Sequence, residues 1–139
     1  MKAYVDTNIF VDLVLSREEW LSDAQRIFAL GYAGEVQLVV SALSFVNTVY
    51  LARKYKYPID SVYNTLRLIA DFVEVADLRG MNVVDMLISD WKDYEDATQY
   101  RSAIEVDADC IVTRNKKDFQ KSTIPVLTPI EFFNQTDRS

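Results

Sequence analysis

Residues 2–14 read KAYVDTNIFVDLV, and this stretch decides the fold. Its first four residues form a short strand-like run that ends at Asp6, and apolar residues from Ile9 to Val14 then recur at helical spacing. The order is therefore strand, helix cap and helix. An aspartate that directly ends a strand lies where parallel α/β sheets collect their ligands, outside the carboxyl ends of the strands.

The rest of the chain repeats this alternation. Short, almost wholly apolar runs occur at 36–40, 110–113 and 125–128, and amphipathic helical patterns separate them. The run at 72–75 is either a further strand or a connector. Because buried parallel strands read as continuous apolar runs, the pattern predicts a three-layer α/β/α sandwich around a short, mostly parallel central sheet.

The length and composition fit one compact domain. The chain has 139 residues, 50% of them hydrophobic, which is enough for a single core. We expect one domain over residues 1–134 and a frayed tail over 135–139. No run approaches the roughly 18 apolar residues of a membrane span, and the N-terminus lacks the layout of a signal peptide. A cytoplasmic protein without a membrane partner is expected.

The composition also excludes several kinds of site. The chain has no histidine and one cysteine, Cys110, so Ser-His triads, the usual zinc sites and an internal disulfide are excluded. Cys110 lies in an apolar run and is expected to be a small buried hydrophobe. The chain has only three glycines, too few for a P-loop or for the glycine motif of a dinucleotide-binding site. The net charge of -6 argues against general attraction for nucleic acid. Any hydrolysis must use carboxylates and oxygen-binding metals.

Carboxylates from three separate stretches are expected at one edge of the sheet. Asp6 ends the first strand, and Asp118 follows the strand at 110–113. The helix that begins near Asp96 runs back antiparallel to that strand, which places Asp93 and Asp96 at the same edge. Clustered carboxylates repel each other unless a cation intervenes, and oxygen ligands select Mg²⁺ or Mn²⁺. Such an ion activates water for phosphodiester hydrolysis.

Each aspartate also has a simpler explanation. Asp6 can cap the helix that follows it, Asp93 and Asp96 can complement a helix N-terminus, and Asp118 can be a turn residue. Taken singly, the simpler explanations are stronger, so the prediction depends on the arrangement. A receiver-type pocket that accepts phosphate on Asp6 is a further alternative, because it too places an aspartate after an N-terminal strand.

Three motifs, in this order, resemble those of PIN-domain proteins. They are VDTNI at 5–9, DYEDA at 93–97 and VTRNKKDF at 112–119, and the ending VLTPIEF at 126–132 also resembles the family. The resemblance covers essentially the whole chain. Similarity to small bacterial proteins of the VapC type implies a metal-dependent ribonuclease with Mg²⁺ or Mn²⁺. It also implies a homodimer and a toxin whose partner is an antitoxin protein.

The resemblance assigns roles to particular residues. By motif, Asp6, Asp96 and Asp118 match the family's metal-binding acids, while Thr113 and Asn115 would order the loop or the attacking water. Small PIN toxins typically carry a glutamate on the helix after the second strand, where this chain has Asn47, a weaker ligand. One hypothesis is that Asp93 supplies the missing charge. The alternative is a catalytically weakened PIN scaffold that binds RNA or a partner protein.

Basic residues near the predicted crevice are the candidates for RNA contact. Arg114, Lys116 and Lys117 flank the acidic residues and are expected to hold the RNA backbone, although loop lysines are ordinarily just solvated. Trp91 and Tyr94 lie near the acidic turn, and packing is expected for them rather than stacking on a base.

Overall fold

The computed structural model describes residues 1–137. Within that range five strands form one sheet, and they are β1 (Lys2–Val5), β2 (Gln37–Ser41), β3 (Glu74–Ala76), β4 (Cys110–Val112) and β5 (Val126–Leu127). The order across the sheet is β3-β2-β1-β4-β5, and every pairing is parallel. The predicted α/β/α fold is therefore confirmed, with a sheet that is wholly parallel in the described range.

Helices connect these strands. Those within residues 1–137 are α1 (Thr7–Val14), α2 (Glu18–Tyr32), α3 (Ala42–Lys54), α4 (Ile59–Ala70), α5 (Gly80–Asp85), α6 (Tyr94–Glu105) and α7 (Pro129–Thr136). Short 3-10 helices follow α5 at Met86–Ile88 and β4 at Lys116–Phe119. The ambiguous run at 72–75 is resolved as strand β3, shifted slightly toward the C-terminus.

The side chains of β1 alternate between the two faces of the sheet. Ala3 and Val5 join a core with residues of α1 to α4 and α7, whereas Tyr4 joins a second core with residues of α6. Successive strand side chains point to opposite faces, so both faces of the central strand are covered. This explains why the strands read as continuous apolar runs. Cys110 is buried in β4 as predicted, and burial raises the pKa of its thiol to about 11.

The direction of chain growth changes between β1 and β4. From β1 the chain adds β2 and β3 on one side and then places β4 and β5 on the other. In open parallel sheets, ligands bind outside the carboxyl ends of the strands at such a switch point. Asp6 and Thr113 directly follow the two strands that flank it.

The C-terminal helix is longer than expected. Thr128 and Glu131 form a capping box, with the Thr128 hydroxyl 3.3 Å from the Glu131 amide and a Glu131 carboxylate oxygen 2.9 Å from the Thr128 amide. Asp137 forms an ion pair with Arg26 at 3.1 Å. Residues 135 and 136 belong to α7, and residues 138–139 lie outside the described range, so the frayed tail over 135–139 stays a prediction. No helix within residues 1–137 is long and apolar enough to cross a membrane.

Candidate active site

Asp6 is held at the carboxyl end of β1 and is only 3% exposed. Its Oδ1 accepts a hydrogen bond from Nε2 of Gln99 at 3.0 Å, and its Oδ2 accepts one from the Thr113 hydroxyl at 2.8 Å. Although Asp6 is the N-cap of α1, its side chain makes no capping hydrogen bond. Burial raises the pKa of Asp6, while the Thr113 and Gln99 hydrogen bonds oppose that rise. Each oxygen of Asp6 thus accepts one hydrogen bond from a side chain.

Gln99 belongs to a buried chain of hydrogen bonds that sequence reasoning missed. Its Oε1 accepts from the Thr7 amide at 3.0 Å and from the Thr7 hydroxyl at 3.1 Å. The hydroxyls of Thr7 and Ser44 are 2.6 Å apart. A hydroxyl has one proton, so if Thr7 donates to Gln99, then Ser44 donates to Thr7. This chain joins α1, α3 and α6 and directs the Gln99 amide nitrogen at Asp6.

The Gln99 network gives a stability prediction. Gln99→Leu is expected to lower the free energy of unfolding by at least about 2 kcal/mol, because it leaves the Thr7 amide and Asp6 Oδ1 buried without these partners. Urea denaturation measures the change. Gln25→Leu, on the exposed face of α2, is the matched control and should stay within about 0.5 kcal/mol of the unaltered protein. Equal effects of the two substitutions would show that the network does not stabilise the fold.

Asp93, Asp96 and Asp118 line one cleft of about 240 Å³. Asp93 is the N-cap of α6, and its Oδ1 accepts from the Asp96 amide at 3.0 Å, so the simple capping role holds for it. Asp96 is partly buried in the first turn of α6, whereas Asp118 is exposed on the 3-10 helix after β4. Three of the four predicted acids thus share a cleft, and Asp6 lies buried close by.

The carboxylates are close enough to affect each other's ionisation. Burial is the largest cause that raises the pKa of Asp96 to about 7, and the charges of Asp93, Asp6, Asp118 and Glu95 add to it. The pKa of Glu95 is raised as well, by burial first and then by Asp93 and Asp6. Glu95 therefore lies near these carboxylates, although it does not line the cleft. It belongs to the motif at 93–97, in which the sequence indicated roles for Asp93 and Asp96 only.

The raised pKa of Asp96 predicts a pH dependence of stability. In metal-free buffer the free energy of unfolding should fall as the pH rises from about 4 to about 7. The pKa of Asp96 is about 7 in the folded state, whereas the ordinary value for an aspartate is 3.8. Between these values the folded state binds more protons than the unfolded state, so its stability decreases as the pH rises. The side chain is partly exposed, so solvent screening reduces the effect. Denaturation across this pH range should show a weaker fall for Asp96→Asn, and identical pH profiles would contradict the assignment.

The donor atoms suit a hard divalent cation, because all are carboxylate oxygens and their mutual repulsion is relieved by positive charge. Within residues 1–137, however, no three acidic side chains are close enough together to hold an ion as they stand. Asp6 also has both oxygens hydrogen-bonded to protein. The chemistry of the ligand set therefore fits Mg²⁺ or Mn²⁺, and binding requires side-chain movement.

The loop after β4 is tied to Asp6 through Thr113. The Thr113 side chain is fully buried, and its hydroxyl donates to Asp6 while accepting from the Asn115 amide at 3.0 Å. The Asp118 amide in turn donates to the Asn115 carbonyl at 3.0 Å. Thr113 and the Asn115 backbone thus order the loop that carries Asp118. The Asn115 side chain is exposed.

The three basic residues of this loop lie in different environments. Arg114 Nε donates to the buried Asp12 at 2.9 Å, and its guanidinium stacks 3.8 Å above the Trp20 ring. Lys116 forms an ion pair with Glu131 at 3.1 Å. Lys117 lines the cleft beside the acidic residues. The structure therefore places only Lys117 of the three in the cleft, and Arg114 has a structural role that the sequence did not reveal.

Asn47 is half-buried on α3, one turn beyond Ser44. Its side chain forms no hydrogen bond with the residues that the structure describes, whereas Ser44 bonds to Thr7. The structure brings α3 to the site through Ser44, and no hydrogen bond links the Asn47 side chain to the four aspartates within residues 1–137. A metal-binding role for Asn47 stays a prediction.

The fold and this edge of the sheet match one known class of protein. The family model described as PIN domain matches residues 2–117. The chain belongs to the PIN domain family. No curated protein shows significant similarity to it.

Solved structures share the fold at low sequence identity. A toxin–antitoxin complex from Klebsiella pneumoniae is 26% identical, with a TM-score of 0.64 over 91% of this chain and 97% of that one. VapBC2 from Rickettsia felis, bound to a promoter DNA fragment, is 15% identical, with a TM-score of 0.62 over 92% and 98%. The Mycobacterium tuberculosis toxin VapC20, described as cleaving the sarcin-ricin loop, is 14% identical, with a TM-score of 0.61 over 78% and 86%.

Proposed function

We propose that this chain is a metal-dependent ribonuclease, an endonuclease that hydrolyses RNA phosphodiester bonds with Mg²⁺ or Mn²⁺. The observation that carries the proposal is the mutual electrostatic influence of Asp6, Asp93, Asp96 and Asp118, drawn from distant parts of the chain to the switch point of the sheet. Because like charges disfavour ionisation, a cation between these carboxylates would relieve their mutual repulsion. Membership of the PIN domain family supports the same activity.

The proposed roles follow from where the side chains lie. Asp6, Asp96 and Asp118 would hold the cation, and Asp93 would add negative charge from the N-cap of α6. When bound there, a divalent ion would lower the pKa of a water and neutralise charge on the phosphate. Gln99 and Thr113 keep the Asp6 carboxylate in one orientation. Lys117 contacts the RNA backbone from the wall of the cleft.

The test is cleavage of a defined single-stranded RNA by the purified protein with Mn²⁺, with Mg²⁺ and with excess EDTA. Cleavage that begins with either ion and stops with EDTA supports the proposal. A DNA strand of the same sequence serves as the matched substrate. Absence of cleavage with both ions, in protein that binds Mn²⁺ by calorimetry, would refute the ribonuclease activity.

We further infer that the chain is the toxin of a toxin–antitoxin pair. Support comes from the shared fold with toxin–antitoxin complexes, including the relative at 26% identity. The net charge of -6 suits a basic partner segment. A neighbouring gene for a small regulator, whose product binds this chain and relieves growth arrest, is the expected finding. If the gene product relieves growth arrest but forms no complex with this chain, the toxin–antitoxin inference is contradicted.

A homodimer is proposed as the assembly. Met81, Val84, Leu87 and Ile88 form an exposed apolar surface on α5 and the 3-10 helix after it, and Ile88 is 92% exposed. Contiguous exposed apolar side chains mark interaction surfaces. Light scattering should give twice the chain mass, and Leu87→Glu should shift the protein toward the monomer. A monomer at all concentrations would contradict this assembly.

The competing function is a catalytically weakened PIN scaffold that binds RNA or a partner protein. Two observations favour it, namely the neutral Asn47 and the absence of a closed group of three acids within residues 1–137. Asn47→Glu separates the two functions. If the chain is a weakened enzyme, this variant should cleave RNA substantially faster with Mn²⁺, whereas a fully active enzyme should gain little.

A further inference from the structure

The cleft beside the acidic residues has a second wall whose chemistry differs. Trp91, Lys92, Lys117 and Gln120 line the cleft together with the carboxylates. We propose that this wall, the Trp91 wall, binds one nucleotide of a single-stranded RNA, with the base against Trp91 and the neighbouring phosphates on Lys92 and Lys117. The inference rests on the proposed ribonuclease function and adds the position of the substrate.

Trp91 is held in place before any ligand arrives. Its ring stacks on Tyr100, with centroids 4.9 Å apart and an interplanar angle of 27°, and the Phe119 ring meets it edge-on at 5.9 Å. Tyr100 is itself fixed, because its hydroxyl lies 2.9 Å from the Thr123 hydroxyl. The expected packing role of Trp91 is thus present, and the ring also lines the cleft. A rigid half-buried indole is a platform for a base, since every base has a π face.

Lys92 and Lys117 are the free cations of this wall. Neither forms an ion pair or side-chain hydrogen bond with the residues that the structure describes. The neighbouring Lys121, in contrast, is bound to Asp90, with Nζ 2.6 Å from a carboxylate oxygen and 2.8 Å from the carbonyl. That contact fastens the segment before Trp91 to the loop after β4. Unpaired lysines that line the same cleft as the carboxylates, in a chain of net charge -6, are placed to offset repulsion of phosphates.

The dimensions of the cleft suit an unpaired base, with the attached sugar and phosphates outside it. Its volume of about 240 Å³ is below the roughly 300–1,000 Å³ of sites for drug-sized ligands. A paired helix presents its bases stacked and hidden, whereas an unpaired nucleotide can place its base in such a cleft. The wall therefore selects single-stranded RNA. The exposed Gln120 amide, which both donates and accepts, can contact the edge of the base.

The binding test uses short fluorescent RNA homopolymers in buffer with EDTA, so that no cleavage interferes. The double variant Lys92→Ala/Lys117→Ala should weaken RNA binding at least about 10-fold at low salt. It should also reduce the slope of log K against log[salt] by about 1.4, because each lost phosphate contact lowers this slope by about 0.7 for single strands. Lys54→Ala is the matched control. It is exposed at the C-terminal end of α3, it is not among the residues that line the cleft, and it should bind normally.

Trp91 is tested separately because a substitution there can disturb packing. Trp91→Leu should weaken binding roughly 10-fold, and circular dichroism shows whether it folds. In a Trp20→Phe protein, whose remaining tryptophan is Trp91, RNA should quench the fluorescence. If Trp91→Leu does not fold, the fluorescence quenching in Trp20→Phe and the RNA affinity of the lysine variant test the proposal. Full affinity in the double-lysine variant, together with unchanged fluorescence, overturns the proposal.

The two proposals fail in different ways. RNA that binds through Lys92, Lys117 and Trp91 but is never cleaved with Mn²⁺ refutes the ribonuclease and supports the Trp91 wall. If RNA is cleaved with Mn²⁺ but substitutions of these residues do not change its affinity, the ribonuclease is supported and the Trp91 wall is refuted. Gln120→Ala adds a third measurement, because it should change the relative affinity for the four homopolymers.

Discussion

Asp6→Asn is expected to lower Mn²⁺-dependent RNA cleavage by at least about 100-fold, equivalent to about 2.7 kcal/mol of transition-state stabilisation. The substitution removes the buried negative charge that faces the other carboxylates but preserves the shape of the side chain. The amide oxygen can accept from Gln99, and the amide nitrogen can donate to the Thr113 hydroxyl in a reversal of the present bond. The fold should survive, so the loss should appear in cleavage and in Mn²⁺ affinity.

Asp71→Asn is the matched control for that experiment. Asp71 is exposed at the end of α4 and precedes β3, so it lies at the edge of the sheet opposite the site. Cleavage rates and calorimetric Mn²⁺ affinities of the two variants should be compared at one pH. An Asp6→Asn protein that keeps its Mn²⁺ affinity and cleaves as fast as Asp71→Asn would remove Asp6 from the metal site.

Arg114→Met is expected to destabilise the fold by about 3–5 kcal/mol, the usual result of removing one partner of a buried ion pair. The Asp12 side chain is only 1% exposed and would be left with Arg17, whose NH1 lies 3.4 Å away. The Trp20 ring would also lose the guanidinium stacked upon it. Because a domain of this size is stable by about 5–15 kcal/mol, urea denaturation should show a large shift of the midpoint.

Arg17→Met is the control, and it should cost less than about 1 kcal/mol. Arg17 contacts the same carboxylate, but its side chain is 32% exposed and its contact is longer. Adding Asp12→Leu to Arg114→Met should recover part of the loss, since an apolar replacement removes the unpaired charge. If Arg114→Met costs no more than Arg17→Met, the Asp12–Arg114 pair does not anchor the loop after β4.

The sequence predicts the sheet and the acidic edge because both depend on local patterns. Apolar runs mark buried strands, and an aspartate after such a run must lie at a carboxyl end. Asp93, Asp96 and Asp118 reach one cleft for that reason. The ambiguous run near 74–76 shows the limit, because three residues contain too little periodicity to separate a strand from a connector.

The polar support of Asp6 was not predictable in the same way. Gln99 and Ser44 lie on helix faces where the pattern reports only their apolar neighbours, and their partners come from distant parts of the chain. Arg114 illustrates a related difficulty. In sequence it reads as one of several loop cations near a crevice, and only the packing of α1 and α2 shows that Asp12 and Trp20 bind it. Charge alone does not distinguish a cation that serves the fold from one that faces solvent.

The hydrogen bond between Thr113 and Asp6 also concerns the timing of synthesis. The hydroxyl that orients Asp6 is 107 residues later in sequence, so it is synthesised after Asp6. At about 5–20 residues per second, translation takes roughly 5–20 s to supply that partner. During this interval β1, the centre of the finished sheet, has no β4 beside it. The site at the carboxyl end of β1 therefore stays incomplete until Thr113 has been made.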